Sequence, residues 1–152
     1  MRGHTPGPWR WEVNEKTKEI VLVGGVPRFD INVMDFARWG MGGACPRFRD
    51  PLQSGMVMAR VCDKAEWIQP VKGREHHRHW LATVSHPDAL LIAAAPDLLE
   101  ATIHAEETFR RYAEMHRAKG TEEGEAKARH NEELADEMAA AIAKATAKEI
   151  DR

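Results

Sequence analysis

At 152 residues, with 43% apolar and 30% charged side chains, the chain has the length and composition of a globular protein with its own core. No apolar run approaches the roughly 18 residues that span a bilayer, and the N-terminus lacks the apolar segment of a signal peptide. We therefore expect a cytoplasmic protein with no membrane partner. The net charge of −2 divides into +3 over residues 1–95 and −5 over 96–152, which is too weakly basic for duplex nucleic acid.

The chain opens on an arm that proline holds extended. Two prolines within Thr5–Trp9 fix the backbone angle φ and remove two hydrogen-bond donors. We expect Trp9 to fill part of the core beside a buried helix. His4 and Thr5 would then stand at the edge of a pocket.

A β-hairpin is predicted next. Apolar and polar residues alternate over Trp9–Val13, Asn14–Thr17 is typical of a turn, and Glu19–Val23 has the pattern of the return strand. Further strands are expected at 29–34, at 56–62 and at 79–84, where the last segment is either a fifth short strand or the approach to a helix.

The twenty residues 36–55 predict a long functional loop. They contain four glycines and two prolines, so one regular element is not expected there. Disorder favours low hydrophobicity, whereas this segment carries Phe36, Trp39, Met41 and Phe48. An ordered loop that folds over a ligand is the better interpretation.

A short apolar helix is predicted after this sheet. Ser85 is expected as its N-cap, with Asp88 three residues later in the manner of a capping box. Ala89–Ala95 is apolar nearly all round, which indicates a buried helix. Pro96 either begins a second helix or kinks the first.

Two long helices are predicted at the C-terminus. The first ends at Gly120, and the last runs from about Gly124 to Glu149. The apolar stripe of the last helix is narrow and rich in alanine, formed by Leu134, Met138, Ala141, Ile142 and Ala145. Because such a seam buries little area, the hairpin needs a partner surface, either its own sheet or a second copy of the chain. Whether the chain forms a homo-oligomer through these helices is left open by the sequence.

The predicted fold class is therefore α+β. A small antiparallel sheet of about four or five strands carries a buried helix and is followed by a helical hairpin. We assign residues 1–95 to a ligand-binding core and residues 96–152 to a hairpin for packing or oligomerisation.

Histidines and arginines concentrate in one part of the chain. Gly73–Trp80 and the nearby Ser85–Asp88 hold four of the eight histidines. Clustered cations repel each other, and imidazoles are costly to bury unless they are hydrogen-bonded, so this mixture gains a fold little stability. Its chemistry suits a ligand.

Arginine and aromatic residues in this segment and in the loop predict a pocket for an anion. The planar guanidinium matches paired phosphate or carboxylate oxygens, and an aromatic face stacks on a nucleobase. The simpler interpretation is that each arginine is a surface residue or pairs with a neighbouring carboxylate. The residues that we predict to contact the ligand are Arg38, Trp39, Arg47, Arg49, Arg74, His76, His77, Trp80, His86 and Asp88.

Metal binding is a weaker hypothesis, and we predict neither a metal nor a cofactor. On a strand, His77 and His79 would share one face, a spacing found in zinc sites, with His86 or Asp88 as a third ligand. A complete zinc signature is missing. Cys45 and Cys62 form no CxxC pair and no disulfide framework, which fits a reducing compartment.

Three stretches resemble a family of small bacteriophage and prophage proteins of largely uncharacterised function. They are TPGPW at 5–9, RWGM at 38–41 and PRFR at 46–49 together with GREHH at 73–77, and HPDALLIAAAPDLL at 86–99. The outer two stretches are loosely similar to Ea22-like phage proteins. The resemblance implies a phage accessory protein in a bacterial cytoplasm, a class that often counters host defence.

The leading hypothesis is a non-catalytic phage protein that binds a nucleotide-like anion and sequesters a host immune signal. One alternative is an inhibitor that binds a host protein through an arginine–tryptophan surface. Another is a phosphodiesterase or nuclease that uses His77 or His79 as general acid or base. Against catalysis, the chain lacks the common hydrolase and nucleotide-binding motifs, and Cys45 lacks the phosphate-cradling loop of cysteine phosphatases.

Overall fold

The structure, a computed structural model, describes residues 4–26, 29–73 and 82–146. The chain forms two compact units that divide between Ala93 and Ala94. The described residues of the first unit form seven strands, one 3₁₀ turn and one α-helix, and those of the second form a pair of long helices. The α+β class is confirmed.

Five antiparallel strands form the main sheet, in the order in which they follow one another along the chain. The strands are β1 (Arg10–Asn14), β2 (Glu19–Gly24), β3 (Ile31–Trp39), β4 (Gly43–Arg49) and β5 (Met58–Arg60). The predicted first hairpin is confirmed. The Asn14 Oδ1 atom accepts hydrogen bonds from the backbone N–H groups of Lys16 and Thr17, which closes its turn.

The predicted loop at 36–55 is wrong in its first half. Strands β3 and β4 pair as a hairpin, joined by a turn in which Gly40 and Gly42 have φ values of +59° and +94°. These glycines therefore make a tight turn rather than a long loop. Pro46 is tolerated in β4 because β5 pairs only with residues 47–49, so β4 has β3 alone beside it at that position. The strand predicted at 56–62 is only the short β5, followed by a 3₁₀ turn at Val61–Asp63.

A second sheet has two short strands, β6 (Ile68–Pro70) and β7 (Ala82–Val84). The sequence did not predict β6, and of the segment 79–84 the structure describes only the strand β7. The core of the first unit lies between the two sheets and α1, a helix over Pro87–Ala93. Its buried members are Cys45, Phe48, Val61 and Trp67, against which Met34, Ala59, Ile68, Val84 and Ala89 pack.

Helix α1 begins differently from its prediction. The Ser85 hydroxyl donates to the backbone oxygen of Glu66, so it does not cap the helix. The His86 Nδ1 atom instead accepts the backbone N–H of Asp88, and the His86 carbonyl accepts the first helical hydrogen bond, from Leu90. The helix is also less buried than expected, because Leu90 is 48% and Ile92 39% exposed.

The second unit is a helical hairpin of α2 (Ala95–Arg117) and α3 (Glu122–Thr146). Pro96 lies in the first turn of α2 and so begins a second helix, one of the two alternatives. The buried positions of the seam are Ala113, Gly124, Ala128 and Ala135. Ala141 and Ala145, which the predicted stripe included, are exposed. Of the described helices, none is both long enough and apolar enough to cross a membrane.

Candidate functional site

A cavity of about 270 Å³ lies in the first unit where the N-terminal arm, the end of β4 and the start of α1 meet. The arm comprises the described residues 4–9. The lining residues are His4, Thr5, Pro6, Arg49, Pro51, His86 and Asp88. Three of them, Arg49, His86 and Asp88, belong to the predicted ligand-binding set, and His4 and Thr5 were expected at a pocket edge.

Thr5 and Asp88 anchor the arm at this cavity. The Thr5 backbone N–H donates to Asp88 Oδ1 at 2.6 Å, and the Thr5 hydroxyl donates to Oδ2 at 2.7 Å. Both residues are buried. The arm also lies close to Gly24, where an added Cβ atom would stand 2.5 Å from the Pro6 carbonyl oxygen. Trp9 is half-buried and donates its indole N–H to the Thr5 carbonyl.

His86 connects the start of α1 to the end of β4. Its Nε2 atom lies 2.9 Å from the Arg49 carbonyl oxygen, and its Nδ1 atom accepts the Asp88 backbone N–H at 3.2 Å. These contacts require the tautomer with the proton on Nε2. The imidazole stacks on Phe48 with ring centres 4.8 Å apart and meets the edge of Trp67 at 4.7 Å. Both nitrogens are thus used within the fold.

Arg49 has a buried donor for which the described part of the chain provides no acceptor. Its Nε atom is inaccessible to water and has no hydrogen-bond partner among the described residues. Buried N–H groups are nearly always paired, because an unmade hydrogen bond there costs about 1–3 kcal/mol or more for a charged group. Arg49 lines the cavity, and because its Nε atom is inaccessible to water, an acceptor in the cavity would complete its hydrogen bonding only after a shift of the side chain.

Arg47 is engaged elsewhere. Its Nε and Nη2 atoms donate to the two carboxylate oxygens of Asp35, each at 2.6 Å. The hydrogen bonds to Asp35 hold the pKa of Arg47 above its ordinary value. This pair belongs to a second and larger cavity of about 700 Å³, lined by Trp11, Val13, Lys18, Glu19, Ile20, Val21, Asp35, Phe36 and Arg47. The sequence predicted one pocket, whereas Arg47 lines the larger cavity and Arg49, His86 and Asp88 line the smaller one.

Of the remaining predicted residues, the structure describes only Arg38 with its side chain. Arg38 is exposed on β3 and is not among the residues that line either cavity. Trp39 ends β3, and its side chain is not described. The other four, Arg74, His76, His77 and Trp80, lie outside the described residues.

The metal hypothesis also depends on residues that the structure leaves out. Its principal histidines, His77 and His79, belong to the undescribed segment 74–81. In the described ranges, no three His, Cys, Asp or Glu side chains come close enough to hold a metal ion.

Sequence reasoning missed Pro6 and Pro51 as lining residues. It also missed the aromatic pair, Phe48 and Trp67, that holds His86. No local pattern signals these contacts, because they join segments that are far apart in the chain.

The chain belongs to the family described as Salmonella phage P22 protein Y8K6, whose model matches residues 1–149. The chain matches no curated protein and no solved structure. The coarser part of the predicted resemblance, to bacteriophage proteins, is confirmed. The likeness to Ea22-like proteins remains a prediction.

Proposed function

We propose that this phage protein binds a small anionic ligand whose phosphate group accepts hydrogen bonds from Arg49. The observation that supports this most directly is that Arg49 lines the cavity and carries a buried Nε donor with no partner among the described residues. A guanidinium binds phosphate through charge-assisted hydrogen bonds, often in pairs. An anion at this point would accept a hydrogen bond from the buried donor. It would also neutralise part of the positive charge of the guanidinium.

Asp88 narrows the chemistry of the ligand. Its carboxylate lines the same cavity, so a bare multivalent anion would be repelled there. Each Asp88 oxygen accepts one hydrogen bond from Thr5 and keeps capacity for another donor. A nucleotide offers both groups, phosphate oxygens for Arg49 and sugar hydroxyls for Asp88, whose fully buried carboxylate would be reached only after a shift of the arm.

The size of the cavity favours a small ligand. Sites for small molecules commonly measure about 300–1,000 Å³, and this cavity of about 270 Å³ lies just below that range. It suits the sugar–phosphate part of a mononucleotide, with the base outside the cavity. A larger signalling nucleotide would place only one of its phosphates here.

The proposed activity is binding without turnover. A phage protein that retains a host signalling nucleotide lowers its free concentration, which would serve as a defence against host immunity. The histidines of the hydrolase alternative, His77 and His79, lie outside the described residues, so no observation on the described residues favours catalysis.

A thermal-shift screen tests this proposal. Inorganic phosphate, nucleoside monophosphates, and cyclic mono- and dinucleotides are each added to the protein. We expect a nucleotide to raise the melting temperature more than phosphate does. The shift should be lost in Arg49→Ala and retained in Arg129→Ala, which removes an exposed arginine of α3. No shift with any of these compounds would overturn the proposal.

A second candidate function is supported by the larger cavity. Trp11 and Phe36, which are 57% and 51% exposed, line it together with the exposed Val13 and Ile20. Exposed apolar groups gathered in one groove are typical of protein interfaces, and tryptophan and arginine are favoured interface anchors. A host protein bound here would make the chain an inhibitor.

Capture from a bacterial lysate distinguishes the two candidates. A partner of this groove should be captured by the wild type and by Leu52→Ala, which removes an exposed apolar residue elsewhere. It should be lost with Trp11→Ala. Arg49→Ala should leave capture unchanged, since Arg49 does not line the groove.

A further inference from the structure

The two cysteines of the chain meet in space. Cys45 lies in β4 and Cys62 in the 3₁₀ turn after β5, and their Sγ atoms are 2.7 Å apart. Both are free thiols. Their separation in sequence gave no sign of a pair, so the contact is produced by the path of the chain from β4 through β5.

The two thiols differ in access. Cys45 is 2% exposed and belongs to the core cluster with Phe48, Val61 and Trp67, whereas Cys62 is exposed. A reagent in solution therefore reaches Cys62 first. Cys45 is shielded from the reagent and already in contact with Cys62, which is the placement of a resolving thiol.

We propose that Cys45 and Cys62 are a redox modification site that closes reversibly to a disulfide by exchange with a low-molecular-weight disulfide. The Cys62 thiolate attacks one sulfur of that compound, forms a mixed disulfide and expels the other half as a thiolate. The Cys45 thiolate then attacks Cys62 Sγ, breaks the mixed disulfide and expels the second half. Two protein thiols are oxidised, one disulfide is reduced, and the two expelled thiolates take up the two protons.

The contact between the thiols also sets the pH dependence of closure. The hydrogen bond between the two thiols, with the Cys62 S–H as donor to Cys45, raises the pKa of Cys62 above its ordinary value of 9.0. Because the thiolate is the nucleophile, exchange should be slow at neutral pH and accelerate as the pH rises.

Closure would tie together the two ends of the segment 45–62. That segment contains Arg49 and Pro51, which line the smaller cavity. A cross-link restricts the unfolded chain, so the oxidised protein should unfold at a higher urea concentration than the reduced protein. The disulfide itself does not depend on the proposed anion binding.

The test uses the reduced full-length protein, oxidised glutathione, and intact-mass and free-thiol measurements. The wild type should lose the mass of two hydrogen atoms, carry no glutathione, stay uncross-linked between chains and recover with dithiothreitol. Cys45→Ala should instead retain one glutathione on Cys62. Cys62→Ser should stay unmodified while folded.

Three results in the wild type would overturn the proposal. They are a stable glutathione adduct, a dimer linked through Cys62, and two thiols that persist at high pH in excess oxidised glutathione. Each is read from the wild type alone, so the test remains decisive if the Cys45 variant fails to fold.

Discussion

Thr5 and Asp88, 83 positions apart in sequence, are joined by two buried hydrogen bonds of 2.6 and 2.7 Å. Through them the N-terminal arm is held against the first turn of α1. Both residues also line the smaller cavity. The contact that fixes the arm therefore also shapes the candidate site.

Removal of the Thr5 hydroxyl should destabilise the first unit. Thr5→Val keeps the shape of the side chain but leaves one oxygen of the buried Asp88 without its donor. Hydrogen bonds to charged groups contribute about 1.5–3 kcal/mol, and we expect a loss of that size in the free energy of unfolding, measured by urea denaturation.

Thr17→Val is the matched control. The Thr17 hydroxyl also donates to a carboxylate at 2.7 Å, that of Glu19, but this pair is exposed. Its loss should change stability by no more than about 0.5 kcal/mol. Equal effects of the two substitutions would show that the burial of the Thr5–Asp88 contact has no energetic consequence.

The ion pair between Asp50 and Lys64 should make stability depend on pH. Their charged atoms are 2.7 Å apart. The hydrogen bond from Lys64 lowers the pKa of Asp50 below its ordinary value of 3.8, and the hydrogen bond to Asp50 raises the pKa of Lys64 above 10.5. The carboxylate thus contributes stability above its unfolded pKa and loses it as the pH falls through the folded value. The ammonium contributes below its unfolded pKa and loses that stability as the pH rises through its folded value.

Urea denaturation of wild type and Asp50→Asn across pH checks this. The difference in unfolding free energy should be nearly constant between about pH 5 and 8 and should shrink below about pH 4. A difference that stays unchanged down to about pH 2 would contradict the assigned role of Asp50.

Gly124 permits the close approach of α3 to the end of α2. A Cβ atom at this position would lie 2.6 Å from the His116 backbone oxygen and 3.0 Å from the Thr121 hydroxyl oxygen. We expect Gly124→Ala to lower the unfolding free energy by about 1–3 kcal/mol, although alanine favours helix by up to about 1 kcal/mol.

The reverse substitution, Ala126→Gly, is the control at an exposed position of the same helix. It should lose up to about 1 kcal/mol through helix propensity alone. Thermal or urea unfolding gives the stability of both variants. A Gly124→Ala protein more stable than the wild type would show that a Cβ atom at position 124 does not crowd the His116 backbone oxygen.

Local patterns predicted much of the fold. The alternation in β1 and β2 and the long periodic helices of the second unit depend on neighbours in sequence, and both were found. The β3–β4 hairpin was missed because its glycines and Pro46 are as typical of a loop as of a tight turn. Strand β6, three residues long, is too short to show a period.

The candidate site was predicted in composition but not in arrangement. Arg49, His86 and Asp88 are unusual enough in their segments to be selected from sequence. Their roles depend on contacts across the fold, such as the stacking of His86 on Phe48 and the pairing of Arg47 with Asp35. Such contacts leave no local pattern.

Isothermal titration calorimetry at low salt tests the central claim, that Arg49 binds the phosphate of a nucleotide. The four ribonucleoside monophosphates and inorganic phosphate are titrated into wild type, Arg49→Ala and Arg129→Ala. We predict that at least one nucleotide binds the wild type and Arg129→Ala equally well, and Arg49→Ala at least about tenfold more weakly. Equal affinity in all three proteins, or no binding to the wild type, would contradict the account.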